Sequence, residues 1–236
     1  MINILFEDDF IILVDKPAKV LSQPSIDKKR IPIKEQLETE RPDLIDRLFL
    51  HHRLDYETSG IFLMSKNKSV NKALTDMFTH HNFKKKYHCL TKPHDLKPAK
   101  KVECESINES NWKIKNFMAP AFGLANNKKR MISVKTGKWA AETEFKIINK
   151  TSDFYYTEAI PKTGRTHQIR LHLQESCRSI LGDSIYGGQS ETVSRLMLHA
   201  LSLEFIHPKL NTSLKIEAPL PQDFLNILEN IDEHKI

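Results

Sequence analysis

Cysteine is scarce in this chain: 236 residues carry three, Cys89, Cys104 and Cys177. They stand far apart, with no Cys-x-x-Cys pair. That argues against a disulfide framework or a zinc site and suits a reducing compartment. Long apolar runs are also lacking. The stretches present are short, such as Phe10–Val14, so no helix is expected to span a membrane. The opening MINILFEDDF has acids where a signal peptide would carry basic residues. The expected location is the cytoplasm, and membranes are not expected partners. Repeats and low-complexity tracts are absent. A chain of this length can bury roughly 70–75% of its unfolded surface, so it needs no covalent staples.

Positive charge is in excess, with a net +6 and an isoelectric point of about 9.1. A polyanionic partner is one reading of that excess and a solvated lysine surface the other. Hydrophobic patterning places strands at Phe10–Val14, Tyr87–Thr91, Glu142–Ile148 and Phe154–Ile160, and an extended apolar segment at Leu196–Phe205. Helices are expected from Pro32 to about Glu40, from an N-cap at Ser69 to about His80, and from Pro221 onward. Strands outnumber helices, and helices fall between runs of strands. This favours an α+β fold around a mixed or mostly antiparallel sheet. The region from Lys92 to Trp139 is poorly patterned and reads as loops. Its part from Lys92 to Lys128 is expected to be a loop-rich insertion within one domain spanning residues 1–236.

Chemistry concentrates in three stretches. Leu50–Ser65, LHHRLDYETSGIFLMS, sets the carboxylate of Asp55 between Arg53 and the hydroxyls of Thr58 and Ser59. Gly60 and the apolar run Ile61–Met64 follow, so a polar turn is backed by a buried strand. Thr58 and Ser59 are read as holding the Asp55 turn. Thr163–Leu173, TGRTHQIRLHL, offers a glycine turn and then a helix capped by Thr166, with His167 and Arg170 on one face. Arg165 at the helix start suits an anion such as phosphate. Lys84–Leu90, KKKYHCL, runs three lysines into Tyr87 at the head of a strand. His51, His52, His199 and His207 each have a structural reading as hydrogen-bonded histidines.

Together these stretches resemble the pseudouridine synthases of the large-subunit rRNA type. HRLD followed by TSG, GRTHQIR, and a basic residue before Tyr87 match that family's ordered motifs. The start, ILFEDDFIILVDKPAKVLSQPS, resembles its first motif, with Lys19 where the family usually has glycine. ILGDSIYGG at 180–188 and LMLHALSLEFIHP at 196–208 also fit, and only about Lys92–Lys128 has no clear counterpart. The resemblance implies a single catalytic domain with Asp55 as nucleophile, Tyr87 as the active-site tyrosine and Arg170 as the partner of Asp55. It implies that Arg53 enters the space left by a flipped base. Expected RNA contacts are Arg53, His52, Arg165, Thr166, His167, Lys85 and Lys86. The expected substrate is a tRNA or rRNA stem-loop bound by a monomer, not DNA. Isomerising uridine involves no redox step and no net water, so no cofactor or metal is expected. Two rival readings are a non-catalytic RNA-binding or ribosome-assembly protein on this fold, and a metal-dependent phosphohydrolase built on His51, His52 and Asp55.

Overall fold

The computed structural model describes residues 1–25, 29–93, 103–108, 110–121, 130–151 and 153–232. In chain order the elements are β1 (Asn3–Glu7), β2 (Ile11–Lys16), α1 (Ile33–Glu40), β3 (Phe49–Leu50), β4 (Ser59–Ser65), α2 (Asn71–Thr79), β5 (Lys84–Pro93), β6 (Glu103–Asn108), β7 (Asn111–Pro120), β8 (Met131–Val134), β9 (Ala140–Lys150), β10 (Tyr155–Pro161), α3 (Gln168–Glu175), β11 (Arg178–Ile180), β12 (Leu198–Ile206), β13 (Ser213–Glu217) and α4 (Gln222–Asp232). The chain forms two compact units. The first holds residues 1–85 and 199–220, and the second holds 86–198 and 221–236.

In the first unit, β2 lies between β1 and β4, antiparallel to both, and β3 adds to β4. β12 joins β4 in parallel, with His199 opposite Ser59 and Ala200 opposite Gly60, and β13 pairs with β12. Every residue of β4 is buried, as its unbroken apolar run requires. Ile11, Leu13, Ile61 and Leu63 of the sheet pack with Val70 and Leu74, and with Phe83, Leu203 and Phe205, in one core. Asn67 caps the turn before α2 by accepting from the Ser69 N–H, and the helix starts one residue later than a Ser69 cap would place it.

The second unit is antiparallel throughout its described pairs. Its order is β5, β10, β9, β7, β6, with β11 on β5 and β8 on β7. Helix α3 packs on β8, β9, β10 and β11, and Met118, Met131, Ala141, Leu171 and Tyr186 form a core beneath it. The mixed, mostly antiparallel α+β architecture is therefore as expected. The loop reading of the stretch after Lys92 is corrected: residues 103–108 and 111–120 form the β6–β7 hairpin. Strand β7 alternates, with Trp112, Ile114, Asn116 and Met118 inward. The polar Asn116 faces in and Phe117 faces out, so the apolar period is broken just where it would be counted. The rest of 94–128 lies outside the described residues, apart from 103–108, 110 and 121.

Two backbone positions fix these connections. Lys19 adopts φ +62°, the left-handed turn that glycine usually supplies in the related motif. Gly60 has φ +108°, and a Cβ there would lie 2.2 Å from the Ala200 carbonyl oxygen. The parallel junction of β4 with β12 thus depends on a hydrogen at that position. Gly60→Ala should cost about 3 kcal/mol or more, through backbone strain and the lost close approach. Thermal melting checks this, and an unchanged melting temperature would contradict it.

Candidate active site

The expected catalytic residues fall in both units, Asp55 in the first and Tyr87 and Arg170 in the second. The Asp55 turn is held from each end. The Ser22 hydroxyl donates to the Leu54 carbonyl at 2.8 Å and accepts from the Leu54 N–H at 3.0 Å. The Thr58 N–H closes the turn onto the Asp55 carbonyl at 3.1 Å. Ser59 then bonds the buried His199 Nδ1 at 2.9 Å, tying the turn's exit to β12. Lys16, opposite Gly60 in the sheet, is fully buried and donates to the carbonyls of Pro17 and Val20, both at 2.9 Å. Asp55 itself is half-buried and Arg53 is exposed.

The tandem histidines have local tasks. His51 bonds Thr75 through Nδ1 at 3.0 Å and Ser65 through Nε2 at 2.9 Å. The His52 ring stacks on Phe78 and leans on Phe62, and its Nε2 accepts from the Leu63 N–H at 3.0 Å. Burial, with the nearby charges of Lys85 and His51, pushes His52 down to about 3, so it is neutral. Its ring proton then sits on Nδ1. A metal bound by both rings would displace at least one of the His51 bonds, which disfavours the hydrolase arrangement.

Along β5 the side chains alternate. Lys85 therefore shares the face of Tyr87, while Lys86 points the other way and pairs with Glu158 at 3.0 Å. The two lysines expected to contact phosphate together are split between faces. Tyr87 lies opposite Ala159 and is half-buried.

The TGRTHQIR stretch departs from expectation at its cap. Thr166 does not cap α3; it is exposed, and His167 precedes the helix at φ +56°. The Gln168 side chain organises this turn instead. Its Oε1 accepts from the Thr163 hydroxyl at 2.6 Å and the Arg165 N–H at 3.0 Å. Its Nε2 donates to the Glu142 carbonyl at 2.9 Å and the Thr143 hydroxyl at 3.0 Å. With these donors and acceptors fixed, Thr143 donates to His172 Nδ1 at 2.9 Å and His172 Nε2–H donates to Asn116 Oδ1 at 3.0 Å. Asn116 then donates to Ser133 at 2.6 Å and to Glu175 at 3.1 Å. Each member thereby fixes the orientation of the next. Arg165 donates through Nε to the Ala140 carbonyl at 3.1 Å.

Arg170 is 3% exposed and forms a bidentate pair with the fully buried Asp183: Nε to Oδ2 and Nη2 to Oδ1, both 2.8 Å. Asp183 Oδ1 also accepts from the N–H groups of Ile185 and Tyr186 at 2.9 Å. Burial works to raise the Asp183 carboxyl, but Arg170 and these two N–H groups outweigh it and hold it below the usual range. The Tyr186 ring lies 5.5 Å from the Arg170 guanidinium and edge-on to His167. Its hydroxyl accepts from the Met131 N–H at 2.9 Å and donates to the Met131 carbonyl at 3.2 Å. Gln168, Asp183 and Tyr186 are the residues that sequence reasoning passed over. The signal was the GDSIYGG segment, whose Asp supplies a buried counter-charge.

A family model described as RNA pseudouridylate synthase matches residues 10–175. The chain belongs to the RNA pseudouridylate synthase family. It is 32% identical over 237 residues to ribosomal large subunit pseudouridine synthase C of Buchnera aphidicola subsp. Acyrthosiphon pisum, covering 97% of this chain and 70% of that protein. It is 31% identical over 248 residues to tRNA pseudouridine synthase C of Salmonella typhi, covering 97% of this chain and 89% of that protein. It matches ribosomal large subunit pseudouridine synthase D of Neisseria meningitidis serogroup A at 29%, covering 96% of this chain and 60% of the relative. Human RNA pseudouridylate synthase domain containing 1 shares the fold, with a TM-score of 0.74 over 94% of this chain and 84% of that one at 22% identity. The protein is an RNA pseudouridine synthase, an isomerase acting on RNA. No helix among the described residues is long and apolar enough to cross a membrane.

Two outcomes follow for this pseudouridine synthase. Asp183→Asn leaves the buried Arg170 charge without its full partner, so it should destabilise by on the order of 3–5 kcal/mol. Chemical denaturation tests it, and a neutral variant would show that the pair is not a structural necessity. The second outcome concerns pH. His172 is fully buried and pushed down to about 3 by burial, as His52 is. Both bind a proton in the unfolded chain near 6.5 but not in the folded one. Their stabilisation is complete above that value and is lost as pH falls toward 3, at about 1.4 kcal/mol per pH unit per histidine. Glu175, raised by burial, opposes this weakly at the lower end. Stability measured between pH 6.5 and 5 should therefore fall with acid, and a flat profile would contradict the buried neutral histidines.

Proposed function

We propose that this protein converts specific uridines to pseudouridine in tRNA or rRNA stem-loops, with Asp55 as nucleophile. The observation that carries this reading is the placement of Asp55 in a turn fixed by Ser22 at its entry and Ser59–His199 at its exit. The N1–C1′ bond breaks, the base rotates, and C5 bonds to C1′ with release of the C5 proton. A uridine inside a stem must first be flipped out, which costs a few kcal/mol. Exposed Arg53 fits the gap this leaves. Asp55 attacks C1′ as N1 leaves, and C5 of the rotated base then displaces it and restores the free carboxylate; Tyr87 packs on the uracil face and moves a proton through its hydroxyl. Arg170 steadies the Asp55 carboxylate. Arg165, Lys85 and His167 contact the RNA backbone or the flanking nucleotides. Such contacts set affinity and salt dependence more than sequence choice. The names of the relatives support both rRNA and tRNA as substrate classes.

Tritium release from RNA labelled at uridine C5 tests the proposal. The protein should release tritium from an isolated tRNA- or rRNA-derived stem-loop in excess EDTA, with a kcat/KM near that for full-length RNA. Loss of activity in EDTA, with a substrate whose fold does not need magnesium, would favour a metal-dependent enzyme. Reaction only with an assembled particle would refute recognition of a stem-loop. Arg170→Met should lower the single-turnover rate at saturating RNA far more than Arg165→Met. The latter should mainly weaken binding and reduce the salt slope by about one. If both variants only weaken binding, Arg170 does not serve Asp55.

A further inference from the structure

The buried serine hydroxyls around the Asp55 turn are engaged within the fold. Ser22 bonds Leu54, Ser59 bonds His199, and Ser65 bonds His51 and Asn71. Thr58 is 2% exposed, and its Oγ1 has no hydrogen-bond partner among the described residues. Its backbone N–H already donates to the Asp55 carbonyl, and the side-chain oxygen is left unsatisfied. A buried hydroxyl with no partner is costly, and valine would fill the same space without that cost. Its placement makes chemical sense if the partner arrives with the substrate.

This inference rests on the proposed role of Asp55. If that carboxylate meets C1′ of the flipped uridine, the ribose lies against the turn that Thr58 closes. The polar group nearest to C1′ on the ring carbons is then the 2′-hydroxyl, one bond away on C2′. We propose that Thr58 Oγ1 hydrogen-bonds the 2′-hydroxyl of the target nucleotide and makes the Asp55 turn select ribose over deoxyribose. The 2′-hydroxyl is the group by which a protein tells RNA from DNA at a given site. A buried polar group left unpaired when that hydroxyl is missing is how a site rejects the analogue.

The probe is the shortest tRNA- or rRNA-derived stem-loop that the wild-type protein isomerises, made with uridine or 2′-deoxyuridine at the target. Thr58→Val should lower the single-turnover rate on the uridine RNA by about tenfold, the worth of one good hydrogen bond. Its melting temperature should equal or exceed that of the wild type, because the substitution removes an unsatisfied hydroxyl. Thr58→Ser should retain the rate. In the Asp55→Asn background, where RNA is bound without turnover, the uridine RNA should bind about tenfold tighter than the deoxyuridine RNA. Adding Thr58→Val should abolish that preference. A Thr58→Val protein with wild-type rate, a lower melting temperature, or an undiminished preference for ribose would each overturn the proposal. If Asp55→Asn itself isomerises uridine, the reading of Asp55 fails. If Asp55→Asn is inert while Thr58→Val keeps full rate, the Thr58 assignment alone fails.

Discussion

A carboxylate can act on a sugar only if the turn that carries it does not yield, and the Asp55 turn has little slack. Ser22 grips the Leu54 peptide through both its N–H and its carbonyl. Ser59 is anchored to His199 on the neighbouring strand, and Gly60 lets that strand come within van der Waals contact. Holding a reactive group to a fraction of an ångström is what orientation asks of a scaffold. Behind the turn, apolar residues of β2, β4 and α2 pack into one core, so the polar turn sits on a densely packed wall.

The second unit meets a different constraint, a buried guanidinium. Arg170 can be carried inside the fold because Asp183 answers its charge in bidentate geometry and two backbone N–H groups satisfy the carboxylate in turn. The loop bearing Asp183 is closed tightly, since a Cβ on Gly188 would lie 1.7 Å from the Ile180 carbonyl oxygen. The hydrogen-bond chain from Gln168 to Glu175 then fixes α3 on the sheet, so the guanidinium has both a counter-charge and a rigid base.

Much of this was legible in the sequence, for particular reasons. The apolar run after Gly60 reads as a buried strand, and Asp55 stood out as the acid of the HRLD motif. Lys19 stands at a position where the related motif usually has glycine, and the chain makes that turn with a left-handed lysine. Other features were hidden because their logic is tertiary. Thr166 has the right chemistry for a cap, yet a glutamine one residue inside the helix took the task by reaching back to Thr163 and Arg165. Lys85 and Lys86 are neighbours in sequence but point to opposite faces once β5 is a strand. The β6–β7 hairpin escaped notice because Asn116 is buried for its bonds to His172, Ser133 and Glu175 rather than for apolarity. Asp183 carries no local sign that its partner lies thirteen residues earlier on α3.

The account turns on Asp55 as the reacting group rather than as one acid among several. The most direct measurement replaces it by asparagine and follows tritium release from C5-labelled uridine RNA, alongside RNA affinity and thermal melting. The account predicts no detectable isomerisation, with melting and affinity close to those of the wild type. Turnover near the wild-type rate would contradict it and would move the chemistry to another residue.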